Sequence, residues 1–201
     1  MRQGRVWLVL IAIALLLGGA LATYTYISPL LTQRAGIPTW AVPLVLTGYG
    51  LGALMGTSVG GRMGDSRPLA TLITAAAAST LVPFLLVFLS TSPVAAVVLV
   101  TVMGVTGFAA APVLGALVMR FAGSASTLAS ALSSSASNVG IAIGSGAAGI
   151  ALASPLRQAG PPLVGTVAAA LTLVPSTALV LMRATRSGAS LPGRKQPRTR
   201  R

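Results

Sequence analysis

The chain has 201 residues, of which 54% are hydrophobic and 7% charged, whereas an ordinary soluble domain has about 25% charged residues. It contains 14 Lys and Arg but one acidic residue, Asp65, and its formal net charge is +13. Because Cys and His are absent, thiol chemistry, the usual zinc sites and imidazole catalysis are excluded, and we expect no enzyme active site, metal or cofactor. The cations separate long apolar runs, which indicates a lipid bilayer as partner and no nucleic acid.

Six apolar runs follow one another, each about long enough to cross a hydrocarbon core of ~30 Å. Turn formers and charges separate them. The predicted fold is therefore all-α, a polytopic membrane protein with six transmembrane helices, the first to sixth spans. The predicted spans are Val6–Leu31, Ala41–Gly60, Leu69–Leu89, Val94–Met119, Thr127–Ala153 and Leu163–Met182.

The predicted domains are a six-helix membrane domain over residues 1–182 and a basic, disordered cytoplasmic tail over residues 183–201. If the amino terminus is cytoplasmic, Arg34 and Arg157 are the only Lys or Arg residues outside, which agrees with the positive-inside rule. We therefore expect a multi-pass protein of the plasma membrane with both termini in the cytoplasm. Four prolines within the spans predict kinks: Pro29, Pro83, Pro112 and Pro175.

A weak internal repeat relates the first three spans to the last three. Tyr24 and Pro29 of the first span have counterparts in Phe108 and Pro112 of the fourth. Two sets of glycines also align, Gly52, Gly56 and Gly61 with Gly140, Gly144 and Gly149. An odd number of spans per repeat inverts the second copy, so we predict two inverted three-helix repeats, a plan of secondary transporters. The alternative is that glycine-rich membrane helices resemble one another by composition.

Glycines four residues apart form small-residue faces on the second and fifth spans. Gly52 and Gly56 lie on one such face, and Gly140 and Gly144 on the other. These faces predict close helix packing, because small residues let backbones approach in a membrane. A sliding surface for rocking motions is a compatible functional interpretation.

The segment GGRMGDSRP, between the second and third spans, resembles the motif A loop of major facilitator superfamily transporters. Gly61 and Asp65 match the glycine and aspartate of that motif, whereas Ser66 stands where Arg is usual and Pro68 where Gly is usual. The fifth-span segment SASTLASALSSSASNVGIAIGSGAAGI is similar to the eleventh helix of the drug–proton and sugar-efflux antiporter branch, and GVTGFAAAPVLGALVMR resembles its tenth helix.

This resemblance covers essentially the whole chain but half of the twelve-helix family fold, and it implies a carboxy-terminal six-helix half. The implied function is transport of a small-molecule substrate, a drug or sugar, by alternating access, with chloramphenicol export as the nearest label. An amino-terminal half would then be the partner that supplies proton coupling. The alternatives are a homodimeric half-transporter and an inactive fragment of a split or truncated gene.

Asp65 has two interpretations. As a cap, its carboxylate would lie at the amino-terminal end of the third helix, where the helix dipole favours negative charge. As a gating latch, which the resemblance implies, it would pair on the cytoplasmic face with one of three cations, Arg62, Arg67 or Arg120.

Four side chains are candidates for substrate binding. Tyr26 shares a helix face with Gly19 and Thr23, which favours it over Tyr24. Tyr49 lies beside the glycines of the second span, and Phe108 and Asn138 lie in the fourth and fifth spans. The alternative roles are interface anchoring for the tyrosines and helix packing for the polar side chains of the fifth span.

Overall fold

A computed structural model describes residues 2–122 and 125–188. The described residues contain six helical segments that are long and apolar enough to cross a membrane, which confirms the predicted all-α fold class and the number of spans. These segments are Gly4–Thr25, Thr39–Ser66, Pro68–Leu89, Pro93–Ala122, Thr127–Ala153 and Arg157–Met182.

The helices differ from the predicted spans mainly at their ends. The described α-helices are Arg2–Thr25, Ile27–Pro29, Val42–Ser66, Pro68–Leu89, Pro93–Ala109, Ala111–Ala122, Ser126–Ala153 and Gly160–Gly188. Leu30–Arg34 is a π-helical turn, and two turns are 3-10 helices, Thr39–Ala41 and Arg157–Ala159. The last α-helix thus continues past residue 183, where we predicted the tail to begin, and residues 189–201 of that tail lie outside the described residues.

Two of the four prolines coincide with a helix break. The first helix is interrupted at Tyr26, three residues before Pro29, and the fourth span is interrupted at Ala110, two residues before Pro112. Proline removes a backbone donor and collides with the preceding turn, which explains breaks at these positions. Pro83 and Pro175 instead lie inside helices that continue past them.

The predicted loop between the second and third spans is almost entirely helical. The helix of the second span continues to Ser66 and the helix of the third span begins at Pro68, so Arg67 alone separates them. Arg67 has φ −139° and ψ 66°, outside the helical region, which a following proline disfavours. Asp65 therefore lies in the last turn of the helix of the second span, and its side chain forms no hydrogen bond with the start of the third within the described residues.

The second span packs directly on the backbone of the fourth. A Cβ atom added to Gly52 would overlap the carbonyl of Thr101, and one added to Gly56 would overlap the carbonyl of Val105. By contrast, a Cβ atom on Gly50, on another face of the same helix, would meet nothing within 4 Å. Glycine is therefore required on one face of the helix because the other backbone occupies the space of a side chain.

The fifth span packs on the first in the same way. Cβ atoms on Gly140 and Gly144 would overlap the backbone of Ala14 and Gly18. In the predicted repeat, the second span corresponds to the fifth and the fourth span corresponds to the first. The contact of the second span with the fourth therefore corresponds to the contact of the fifth span with the first. The repeat organisation itself stays a prediction.

Two arginines near the ends of the first span donate hydrogen bonds to backbone carbonyl groups of other spans. Arg5 donates a hydrogen bond to the carbonyl of Met182 at 3.3 Å, and its guanidinium lies 5.8 Å from the ring centre of Phe121. Arg34 donates to the carbonyl of Val87 at 2.6 Å. Val87 lies in the last turn of its helix, where carbonyl groups lack intrahelical partners and a cation is stabilising, whereas the last helix continues past Met182 to Gly188. The first span is therefore held to the sixth at one end and to the third at the other.

Candidate functional site

Three aromatic rings from three spans form a cluster. Tyr24 of the first span stacks on Tyr49 of the second, with ring centres 4.4 Å apart and an angle of 25° between the rings. Phe108 of the fourth span meets Tyr49 edge to face, at 6.3 Å and 80°. Both geometries are favourable for aromatic pairs. The structure thus joins two of the four predicted substrate residues, Tyr49 and Phe108, with Tyr24.

The hydroxyl group of Tyr49 is buried without a hydrogen-bond partner among the described residues. The residue as a whole is 6% exposed. A buried hydroxyl without a partner costs free energy, and Phe would provide the same ring without that cost. A ligand or a water molecule would therefore supply the hydrogen bond that this hydroxyl lacks.

Tyr26 lies apart from that cluster. It forms the break at the end of the first helix, and a Cβ atom on Gly149 of the fifth span would lie 2.7 Å from its hydroxyl oxygen. The helix face that Tyr26 was predicted to share with Gly19 and Thr23 lies against the sixth span and not against the cluster. Gly19 packs on the sixth span, and Thr23 donates a hydrogen bond to the carbonyl of Pro161 at 3.4 Å. Sequence reasoning therefore missed Tyr24, although the alignment of Tyr24 with Phe108 was a signal for it.

A polar stripe runs along the fifth span. Ser130, Ser134 and Asn138 are spaced by four residues and are exposed, and none has a side-chain hydrogen bond to the rest of the described chain. Ser130 and Ser134 line a cavity of about 270 Å³ whose other walls belong to the first and fourth spans. An amide facing hydrocarbon without a partner costs several kcal/mol. This stripe must therefore face water, a substrate or another polypeptide.

A second small cavity brings together charges of opposite sign. Asp65 and Arg120 both line a space of about 220 Å³, together with Gly61 of the motif A-like segment. Both charged residues are exposed, and within the described ranges Asp65 has neither an ion pair nor a side-chain hydrogen bond. Arg62 and Arg67 are likewise exposed. Of the three predicted latch partners, Arg120 is the one that shares a cavity with the carboxylate.

Comparisons with known proteins find two related bacterial proteins. Over 120 residues the chain is 33% identical to an uncharacterized MFS-type transporter, YtbD, of Bacillus subtilis (strain 168), a stretch that covers 60% of this chain and 30% of that protein. Over 135 residues it is 31% identical to the chloramphenicol resistance protein of Streptomyces lividans, which covers 64% of this chain and 33% of that protein. No protein-family model matches the chain.

The resemblance to major facilitator transporters is thereby confirmed. The matched stretches span about a third of the length of these relatives. Six membrane-spanning helices fit one half of such a transporter. The chain is accordingly a multi-pass membrane protein.

Proposed function

We propose that this chain is the carboxy-terminal six-helix half of a major facilitator exporter, which moves a small molecule across the plasma membrane by alternating access. The observation that carries the proposal is the similarity, over 64% of the chain, to a protein named for chloramphenicol resistance. A membrane transporter gives such resistance when it exports the antibiotic. Because the match covers 33% of that protein, we propose that further spans complete the transporter.

The exposed faces of the second and fifth spans support a second six-span unit. In their most apolar windows these spans are 28% and 17% buried, against 56% for the first span. The exposed face of the fifth span carries Ser130, Ser134 and Asn138, which hydrocarbon cannot satisfy. A second unit packed across this face would enclose the stripe in a polar cavity, near the midplane where such transporters bind substrates.

Tyr49 and Phe108, with Tyr24, are the proposed aromatic part of the substrate site. Tyr24 and Phe108 are partly exposed and offer ring surface to a drug-sized molecule, and the buried hydroxyl of Tyr49 is a donor that lacks a partner in the described structure. Asn138 is proposed as a second polar contact, and Tyr26 as a contact farther along the first span. Small-molecule sites typically combine an apolar lining with few polar groups.

The coupling proton would be carried by the second unit. Asp65 is the sole acidic residue of the 201, and it lies in the last turn of the second helix rather than deep in a span. Proton relays in transporters use acids or histidines within the membrane. We propose that Asp65 acts instead as a latch with Arg120, with both chain termini in the cytoplasm as the arginine distribution predicts.

The first prediction concerns whether the chain needs further spans for transport. The chain, joined through a linker to the amino-terminal half of the Streptomyces lividans protein, should lower the accumulation of radiolabelled chloramphenicol in energised cells. The chain alone, at equal membrane abundance, should leave accumulation at the level of the empty vector. Export by the chain alone would instead favour the homodimeric half-transporter, and a membrane-inserted fusion that does not export chloramphenicol would contradict the proposal.

The second prediction concerns the substrate site in the active fusion. Tyr49→Phe removes the hydroxyl but keeps the stacked ring, and should raise the KM of export about two- to ten-fold, the effect of one hydrogen bond. Tyr24→Phe is the matched control and should change KM less than two-fold. Unchanged KM in Tyr49→Phe would show that this hydroxyl does not contact the substrate.

The third prediction concerns the latch. Asp65→Asn should lower the export rate about 1.4- to five-fold, because a pair of exposed charges contributes ~0.2–1 kcal/mol to one conformation. The exchanged pair Asp65→Arg with Arg120→Asp should restore most of the rate, and Ser66→Ala should leave it unchanged. A full rate in Asp65→Asn, or no recovery in the exchanged pair at normal membrane abundance, would refute pairing with Arg120.

A further inference from the structure

An apolar groove of about 490 Å³ runs between the fifth and sixth spans, and the first span also lines it. Every lining residue is Gly, Ala, Val, Leu or Ile, so the side chains offer no hydrogen bond. Ile143 of the fifth span and Val167 of the sixth are 68% and 58% exposed. The groove is therefore an open apolar surface at the depth of the bilayer.

The length of the groove matches one leaflet. Its lining on the sixth span extends from Gly160 to Leu171, which is about 16 Å at ~1.5 Å per helical residue. The hydrocarbon core is ~30 Å thick, so the groove extends from one membrane surface to about the midplane. An acyl chain of a single lipid has this reach.

A cation lies at the surface end of the groove. Leu156 lines the groove, and the next residue, Arg157, lines a polar cavity of about 660 Å³ with Gln33 and Gln158. Gln158 donates a hydrogen bond to Gln33 at 2.6 Å, whereas the exposed Arg157 guanidinium has no partner in the part of the chain described. Arg157 also has φ +48°, a conformation that favours glycine, so backbone preference does not explain an arginine here.

We propose that the groove and Arg157 together bind one anionic phospholipid. One acyl chain lies in the groove, and the head-group phosphate accepts hydrogen bonds from the guanidinium, whose planar donors match a phosphate. An anionic head fits better than a zwitterionic one because the latter carries its own cation. Asp65, the sole acid of the chain, lies between the second and third spans, on the other side of the membrane from this turn.

The test is lipid retention by the purified full chain, measured by native mass spectrometry after incubation with equal amounts of phosphatidylglycerol and phosphatidylcholine bearing the same acyl chains. Wild type should retain about five-fold more phosphatidylglycerol at one site, the factor that corresponds to ~1 kcal/mol per basic residue near anionic lipid. Arg157→Gln should abolish the preference, and Arg157→Lys should keep most of it. Cations elsewhere are common to all variants, so the difference isolates Arg157.

A second pair of variants tests the groove. Ala147 is exposed and lines it, so Ala147→Phe should fill the groove and lower retention of both lipids about four-fold, the factor for one CH₂ group at ~0.8 kcal/mol. Ala142 is exposed on the same span but does not line the groove, so Ala142→Phe should retain lipid as wild type does.

Three outcomes would overturn the proposal: no preference in the wild type, equal preference in Arg157→Gln and wild type, or equal retention in Ala147→Phe and Ala142→Phe. A wild type that shows no preference overturns the proposal even if a variant fails to fold. No transport is measured, so the result is independent of the proposed export.

Discussion

Six helices in lipid must be held together without the hydrophobic effect, since lipid chains are as apolar as the side chains that would be buried. This chain meets that constraint by direct contact between helix backbones. Gly52 and Gly56 leave room for the fourth span, and Gly140 and Gly144 leave room for the first. Contacts between the atoms of two backbones replace side-chain burial, and the other features of the structure follow from where these two contacts run.

The aromatic cluster depends on the same contact. A Cβ atom on Gly104 of the fourth span would overlap the carbonyl of Tyr49, so the close approach of the second and fourth spans fixes Tyr49 at their contact. In this position its ring meets Tyr24 and Phe108. The opposite faces of the second and fifth spans are exposed, and the exposed residues of the fifth span include Ser130, Ser134 and Asn138. The same helices therefore provide both the packing contacts and the proposed substrate site.

Composition and run length were enough to predict the six spans, because hydrocarbon thickness sets a length that a sequence displays directly. The loop predicted around Asp65 was wrong because polar residues beyond the hydrocarbon do not end a helix, whereas Pro68 does, by forcing Arg67 out of helical geometry. The preference for Tyr26 over Tyr24 assumed one continuous helix, but the helix is interrupted at Tyr26. Such turns depend on tertiary packing, which periodicity in one sequence does not contain.

The packing of the second span on the fourth is tested most directly by a disulfide, since the natural chain contains no Cys. A Cβ atom on Gly48 would lie 3.9 Å from the Cβ atom of Thr101, within the range of about 3.5–4.5 Å that disulfides adopt. The pair Gly48→Cys with Thr101→Cys should therefore cross-link on mild oxidation in membranes, as measured by maleimide labelling before and after reduction. Gly50→Cys with Thr101→Cys should not cross-link. Equal cross-linking of the two pairs, or none in either, would contradict the backbone contact on which this account rests.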